Sequence, residues 1–326
     1  MKIAIYSPNW IGDAVLALPF IQVIKEKNPK AEIIIICKEW VSDVYKNNPS
    51  ISEIIPLANY QIKGFFSTLK TGRKLRNKKL DISYTLTDSI RSAFVLWLSN
   101  SKFRYGYADQ MRSFLLTNAI SQPRQKIHRS RKYLGLIDSD NYSFILPKIN
   151  LSDTEITWAE NELKNIGLDK PIALLPFSIS KNRTLDNFLI KKWIEKSNRQ
   201  YIIFGSKDDV KKADQLINYC QGVTIISICG EYSLRKSIQI LSQCEYALAA
   251  DSGLGHISAA LGLPTLSFFG AGDSQVTAPI GENTGLIEHC SPCKGTHCNK
   301  SNKGRYCLTE ISSSYIDYSL KNIIKS

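Results

Sequence analysis

The residues whose spacing carries the most chemistry are Asp251-Ser252-Gly253-Leu254-Gly255-His256. They stand between an apolar run, Tyr246–Ala250, and a small-residue stretch, Ile257–Gly262, that is followed by a second apolar run from Thr265 to Phe269. A polar, glycine-punctuated turn from a buried strand into a helix lies where open α/β sheets bind ligands. The first N–H groups of the helix have no partner within it, which suits a phosphate. Gly253 and Gly255 offer no Cβ to obstruct a ligand approaching the backbone. The same pattern also serves as a plain structural turn.

A second such turn follows the first strand. Lys2–Tyr6 reads as a strand, Pro8-Asn9-Trp10-Ile11-Gly12-Asp13 as the turn, and Ala14 to about Lys27 as a helix whose first turns Pro19 should kink. The turn lacks the three glycines of a dinucleotide fingerprint, which argues against a nicotinamide or flavin enzyme. Asp13 alone reads equally well as a helix cap. Its position matters because each half of the chain has one special turn in the same kind of place.

The elements that must hold these turns alternate. Ala31–Cys37, Ser52–Pro56 and Asp81–Thr87 are expected strands in the first half, with helices near 40–46, 65–78 and 89–98. Pro171–Leu175, Tyr201–Phe204, Thr224–Ile228 and Tyr246–Ala250 are expected strands in the second, with helices near 187–196, 208–219, 233–244 and 254–261. Repeated β-α units imply parallel sheets covered on both faces. The expected fold is therefore α/β, with two doubly wound, Rossmann-like domains facing a cleft. The domains are expected over 1–160 and 161–312, with a linker near 151–170. A terminal helix over 313–326 would pack back across the hinge. The 326 residues, 43% of them hydrophobic, suffice for two cores. No apolar run reaches 18 residues and the first residues enter a strand directly, so a cytoplasmic protein with at most peripheral membrane contact is expected.

The net charge of +13 is uneven. Residues 1–150 hold 23 Lys plus Arg against 11 Asp plus Glu, whereas residues 151–326 hold 19 against 18. A basic half beside a neutral one suggests that the first half meets an anionic partner. The densest patches are Arg73-Lys74-x-Arg76-x-Lys78-Lys79 and Lys126–Lys132, the latter with Arg129, Arg131 and Lys132. No nucleic-acid motif of recognisable spacing accompanies them, so nucleic acid is not the expected partner.

Taken together, these segments resemble the lipopolysaccharide heptosyltransferases of glycosyltransferase family 9, over nearly the whole chain. The resemblance rests on Pro8 through Val15 with its Gly-Asp, on Ser89-Ile-Arg-Ser-Ala93, Arg104-Tyr-Gly-Tyr107 and Met111-Arg112, and on Asp251–His256 with Pro264–Gly270. The tail from Cys290-Ser-Pro-Cys293 to Cys307-Leu-Thr resembles the branch that adds the second heptose. The resemblance implies a GT-B architecture and inverting transfer of heptose from ADP-L-glycero-D-manno-heptose to the inner core of lipopolysaccharide. Asp13 would be the catalytic base. Asp251, Ser252, Gly253, Leu254, Gly255 and His256 would bind the donor, together with Arg183 or Lys181. Arg73, Lys74, Arg76, Arg91, Arg104 and Arg112 would meet a phosphorylated glycolipid acceptor, with peripheral contact at the inner membrane. Arg91 or Arg112 would alternatively brace the domain through an ion pair. His256 would bond a phosphate or a backbone group, or be a satisfied core histidine. The chain departs from the family where Lys-x-Trp-Pro becomes Arg183-Thr184-Leu185-Asp186 and where the glycine after the strand proline is Phe177. Arginine grips a diphosphate bidentately, so the exchange is chemically reasonable. Two other classes share some of these features: a nucleotide-sugar isomerase of the same architecture, and a basic nucleic-acid-binding protein.

No cofactor is expected in catalysis. Cys37, Cys220, Cys229 and Cys244 fall on apolar stretches and read as reduced core residues. Cys290, Cys293, Cys298 and Cys307 crowd into 18 residues with His289 and His297. That density fits a structural zinc or unligated thiols better than disulfides.

Overall fold

The computed structural model describes residues 1–137, 145–195, 197–288, 306–309 and 311–324. The chain divides into two compact units, Met1–Asn150 and Leu151–Ser326.

In the first unit, β1 (Lys2–Tyr6) enters a broken helix, α1 (Ile11–Leu16) and α2 (Leu18–Lys27). Pro19 stands in the first turn of α2, where its missing N–H costs nothing, and the break falls at Ala17. The near-continuous isoleucine run of β2 (Glu32–Lys38) is buried on both faces, as a central parallel strand requires. The helix expected near 40–46 is instead a 3₁₀ stretch, Glu39–Val44. Then come β3 (Glu53–Leu57), α3 (Asn59–Ile62), α4 (Phe65–Lys74), β4 (Ile82–Thr85), α5 (Ile90–Leu98), β5 (Phe103–Tyr107), β6 (Asn118–Ile120) and α6 (Arg129–Leu134). All pairings are parallel, in the order β3-β2-β1-β4-β5-β6.

The second unit opens with α7 (Asp153–Asn165), started by a Ser152/Glu155 capping box. It continues with β7 (Ile172–Leu175), α8 (Asn187–Ile194), β8 (Gln200–Ile203), α9 (Val210–Tyr219), β9 (Thr224–Ser227) and α10 (Leu234–Leu241). The remainder is β10 (Ala247–Ala250), α11 (Gly253–Ala260), β11 (Thr265–Phe269), α12 (Ser274–Thr277), β12 (Thr284–Glu288), α13 (Tyr306–Thr309) and α14 (Ser313–Ile324). Its sheet, also all parallel, runs β12-β11-β10-β7-β8-β9. Through Ile316, Leu320 and Ile323, α14 joins the core of this second unit, beside β11, β12 and α8.

Counted within each unit, both sheets have the same order, with the first strand beside the fourth. This is the doubly wound pattern, and its switch point lies between β1 and β4 in one sheet and between β7 and β10 in the other. Three strands escaped the sequence pattern: β5, which carries Arg104 and Gly106, the three-residue β6, and β12 with Gly285.

Candidate active site

Each sequence-selected turn leaves the carboxyl end of a switch-point strand. Asp13 follows β1, Ser89–Arg91 follows β4, Pro176–Arg183 follows β7 and Asp251–His256 follows β10.

At the second unit's edge, Ser252 is the N-cap of α11, yet its hydroxyl makes no capping bond; Oγ is buried without a hydrogen-bond partner. The N–H groups of the first turn thus lie beside an uncommitted hydroxyl, an arrangement that suits an anion. Asp251 is almost fully buried, and Arg183 Nε lies 3.3 Å from its Oδ2. Burial pushes the Asp251 carboxyl above its ordinary range, with Arg183 pulling partly back. The loop bearing Arg183 is fixed by Ser178, whose hydroxyl donates to the Asp251 carbonyl at 3.1 Å and whose N–H donates to Thr184 Oγ1 at 3.2 Å. Lys181 is exposed and lies in the same 3₁₀ turn. His256 is buried on α11. The glycines divide differently from the sequence expectation. A Cβ on Gly255 would meet Ala249 Cβ at 3.0 Å, so this glycine lets α11 settle on β10 and does not clear space for a ligand. On the other side, Gly272 backs against Asp251 Oδ2 so tightly that no Cβ would fit.

At the first unit's edge, Asp13 lies in the first turn of α1. It is not the cap: that position belongs to Trp10, which makes no side-chain capping bond and leaves its ring exposed. Arg129, at the start of α6, holds Nη1 3.8 Å from Asp13 Oδ2. Behind them are two buried tyrosines. Burial raises the Tyr133 phenol far above its ordinary value, and the Asp13 charge adds to this. Tyr45 is raised in the same way and shares a 2.6 Å hydrogen bond with Ser7 Oγ. Asn9 Oδ1 is buried with no hydrogen-bond partner, and the Asn9 carbonyl accepts from Trp40 Nε1 at 3.0 Å. Lys38, at the end of β2, sits over the Trp40 ring 5.2 Å from its centroid. Burial, and then the charge of Arg91, lower its basicity. Lys38, Trp40, Tyr45 and Tyr133 are not singled out by the sequence, which marks Arg129 only as part of a basic patch. Only the order of strands reveals that the ends of β2 and of β1 adjoin.

The six acceptor candidates separate. Arg91 is exposed at the carboxyl edge, and its charge is felt by Tyr6 and Lys38. Arg112 is fully buried, donating from Nε to the Tyr107 carbonyl at 2.9 Å and from Nη1 to the carbonyls of Thr87 and Ser89. Its Nη2 lies 3.7 Å from Asp88, which also binds Lys132 Nζ at 2.8 Å. Arg104 likewise donates to the carbonyls of Leu115 and Ser101, at 2.8 and 2.6 Å. Burial lowers the basicity of both arginines. They brace the loops after β4 and β5. Arg73, Lys74 and Arg76 stand at or just after the end of α4, which precedes β4 and so ends at the sheet's amino edge. A parallel strand of this length separates that edge from Asp13 by roughly 15 Å.

Cys37, Cys220, Cys229 and Cys244 are buried free thiols. Burial raises Cys37 to about 12 and Cys220 and Cys229 to about 11, so they are poor nucleophiles. Cys290, Cys293, Cys298 and the side chain of Cys307 lie outside the described residues. No helix among the described residues is long and apolar enough to cross a membrane.

The profile of glycosyltransferase family 9 (heptosyltransferase) matches residues 68–303. The lipopolysaccharide heptosyltransferase 2 of Salmonella typhimurium is 23% identical over 320 residues, covering 88% of each chain. The lipooligosaccharide heptosyltransferase 2 of Campylobacter jejuni is 24% identical over 341 residues, covering 100% of this chain and 99% of that one. The solved structure of the Escherichia coli ADP-heptose LPS heptosyltransferase II shares the fold, with a TM-score of 0.83 at 21% identity over 100% of this chain and 99% of that one. A family 9 glycosyltransferase of Veillonella parvula aligns with a TM-score of 0.86 at 17% identity, over 99% and 97% of the two chains.

Proposed function

The chain belongs to glycosyltransferase family 9, and from that premise we propose that it transfers a heptose from ADP-L-glycero-D-manno-heptose to the inner core of lipopolysaccharide, with inversion. Relatives of near-equal length carry the names of lipopolysaccharide and lipooligosaccharide heptosyltransferases, which supports this substrate class. The observation that carries the reading is the matched placement of Asp13 and of Asp251–His256 after the switch-point strands of two sheets of one order.

In this reading the diphosphate of the donor sits at the first turn of α11. Ser252 Oγ and the free N–H groups bind it, and the Arg183 guanidinium, held by Asp251, supplies positive charge as ADP departs with the bonding electrons. Asp13 accepts the proton of the acceptor hydroxyl while that oxygen bonds to the anomeric carbon. Arg129 keeps the carboxylate in place. Lys38 and Arg91 meet an acidic group of the acceptor. The glycolipid acceptor implies peripheral association with the inner membrane.

Incubating the protein with ADP-heptose, with and without heptose-deficient lipopolysaccharide, tests the assignment. Acceptor-dependent release of ADP and a heptosylated product are expected. Conversion of the donor without acceptor would instead identify an isomerase.

A further inference from the structure

We propose that the outer face of α4 and α5 is a docking surface for an anionic phospholipid bilayer. Four aromatic rings form a continuous strip there: Phe66 meets Phe65 edge-on at 5.7 Å, Phe65 stacks on Phe94 at 5.8 Å, and Phe94 stacks on Trp97 at 5.9 Å. Three of these rings face solvent, with Phe66 82%, Phe65 64% and Trp97 46% exposed. Contiguous exposed aromatic surface of this kind marks an interaction site, and aromatic rings favour the boundary between headgroups and hydrocarbon.

Charge identifies the occupant. Between Glu53 and Asp81 the chain holds seven Lys or Arg and no carboxylate. On α4, Thr68, Thr71 and Gly72 turn inward, as does Leu75 just after it. Helical spacing then puts Phe66, Lys70, Arg73 and Lys74 along the outward face, and Lys63 is exposed just ahead of the helix. Among the described residues none of these four cations is held in an ion pair, unlike Lys78, which bonds Glu53. Gly72 lets the two helices pack closely side by side, because a Cβ there would meet Leu98 Cβ at 2.5 Å. Aromatic rings beside unpaired cations on two helices that carry no carboxylate are complementary to a negatively charged headgroup layer. The proposal does not depend on the roles given to Asp13 or Arg183, although a membrane-bound acceptor would give the surface its purpose. It also reassigns Arg73 and Lys74, which the fold keeps from the carboxyl edge.

Co-sedimentation of the full chain with vesicles, in the absence of donor, tests it. Binding to phosphatidylcholine vesicles should rise steeply when phosphatidylglycerol is included and weaken as salt is added. Lys63→Gln/Lys70→Gln, and separately Phe66→Ser, should each lower vesicle affinity by roughly tenfold or more. Both should leave transfer to a deacylated, water-soluble acceptor unchanged. Equal binding to phosphatidylcholine alone, or wild-type vesicle affinity in both variants, overturns the proposal. So does loss of transfer to the deacylated acceptor, which would make the face part of the sugar site. Binding of a single-stranded RNA oligonucleotide that these variants abolish, with vesicle binding unaltered, would show a nucleic-acid surface instead. A protein that passes the vesicle test but transfers no heptose refutes the proposed function alone.

Discussion

The carboxyl edges of the two sheets have the same strand order and opposite character. In the second unit the edge centres on one buried carboxyl: Asp251 is sunk beneath Arg183, Gly272 closes behind it, and the cap serine keeps its hydroxyl free. In the first unit the edge is broad, with Trp10 and Trp40 exposed, Arg129 beside Asp13, and Lys38 within reach of the Arg91 charge. In the proposed reading one fold carries two kinds of recognition: a helix terminus with an uncommitted hydroxyl would take a compact diphosphate, and an open basic rim would take a large acidic glycan.

That division predicts that variants fall into two groups. The largest effect is expected from Asp13→Ala, with transfer lowered by about 10²–10⁴ and donor affinity within a few-fold, read by initial rates and ADP titration. Next, Arg183→Ala should weaken ADP binding and lower the rate together by roughly 10- to 100-fold, with Lys181→Ala the smaller change; the reverse ranking would move the diphosphate contact by two residues. Replacing Lys38 and Arg91 together by Ala should raise the acceptor KM by roughly tenfold and flatten its salt dependence.

The smallest effect on chemistry, and a check on the fold, concerns Glu155. Its carboxylate is held to about 2 chiefly by hydrogen bonds from Arg235, then by Ser152 and Gln239, against the opposing cost of burial. A carboxyl depressed on folding contributes stability above its unfolded pKa and loses it as pH falls through the folded value. Denaturant titration should therefore show this contribution disappearing between about pH 4.5 and 2. Glu155→Gln should cost about 2 kcal/mol at pH 7, less than a fully enclosed pair, and remove that part of the acid dependence. Turnover at neutral pH should change little.

Both special turns were legible because polar and glycine residues interrupt strongly apolar, alternating elements. The fold was legible for the same reason: Ile33–Ile36 and Ala247–Ala250 have no other sensible place than buried parallel strands. Strands with polar or glycine content, such as β5 and β12, lack that signature and take their conformation from neighbouring strands. Electrostatic roles were the least legible. Arg112 and Arg91 are the same residue type in the same basic half, yet one is sealed under backbone carbonyls and the other exposed at the edge. Only tertiary placement distinguishes them, as it does Lys38, which gains its meaning from a neighbour 53 positions away.

The division between the two edges is tested most directly by titrating ADP, side by side, into the wild type, Arg183→Ala and Lys38→Ala/Arg91→Ala. The account predicts a loss of affinity of tenfold or more in Arg183→Ala and wild-type affinity in the double variant. ADP affinity that falls in Lys38→Ala/Arg91→Ala and survives in Arg183→Ala would contradict it.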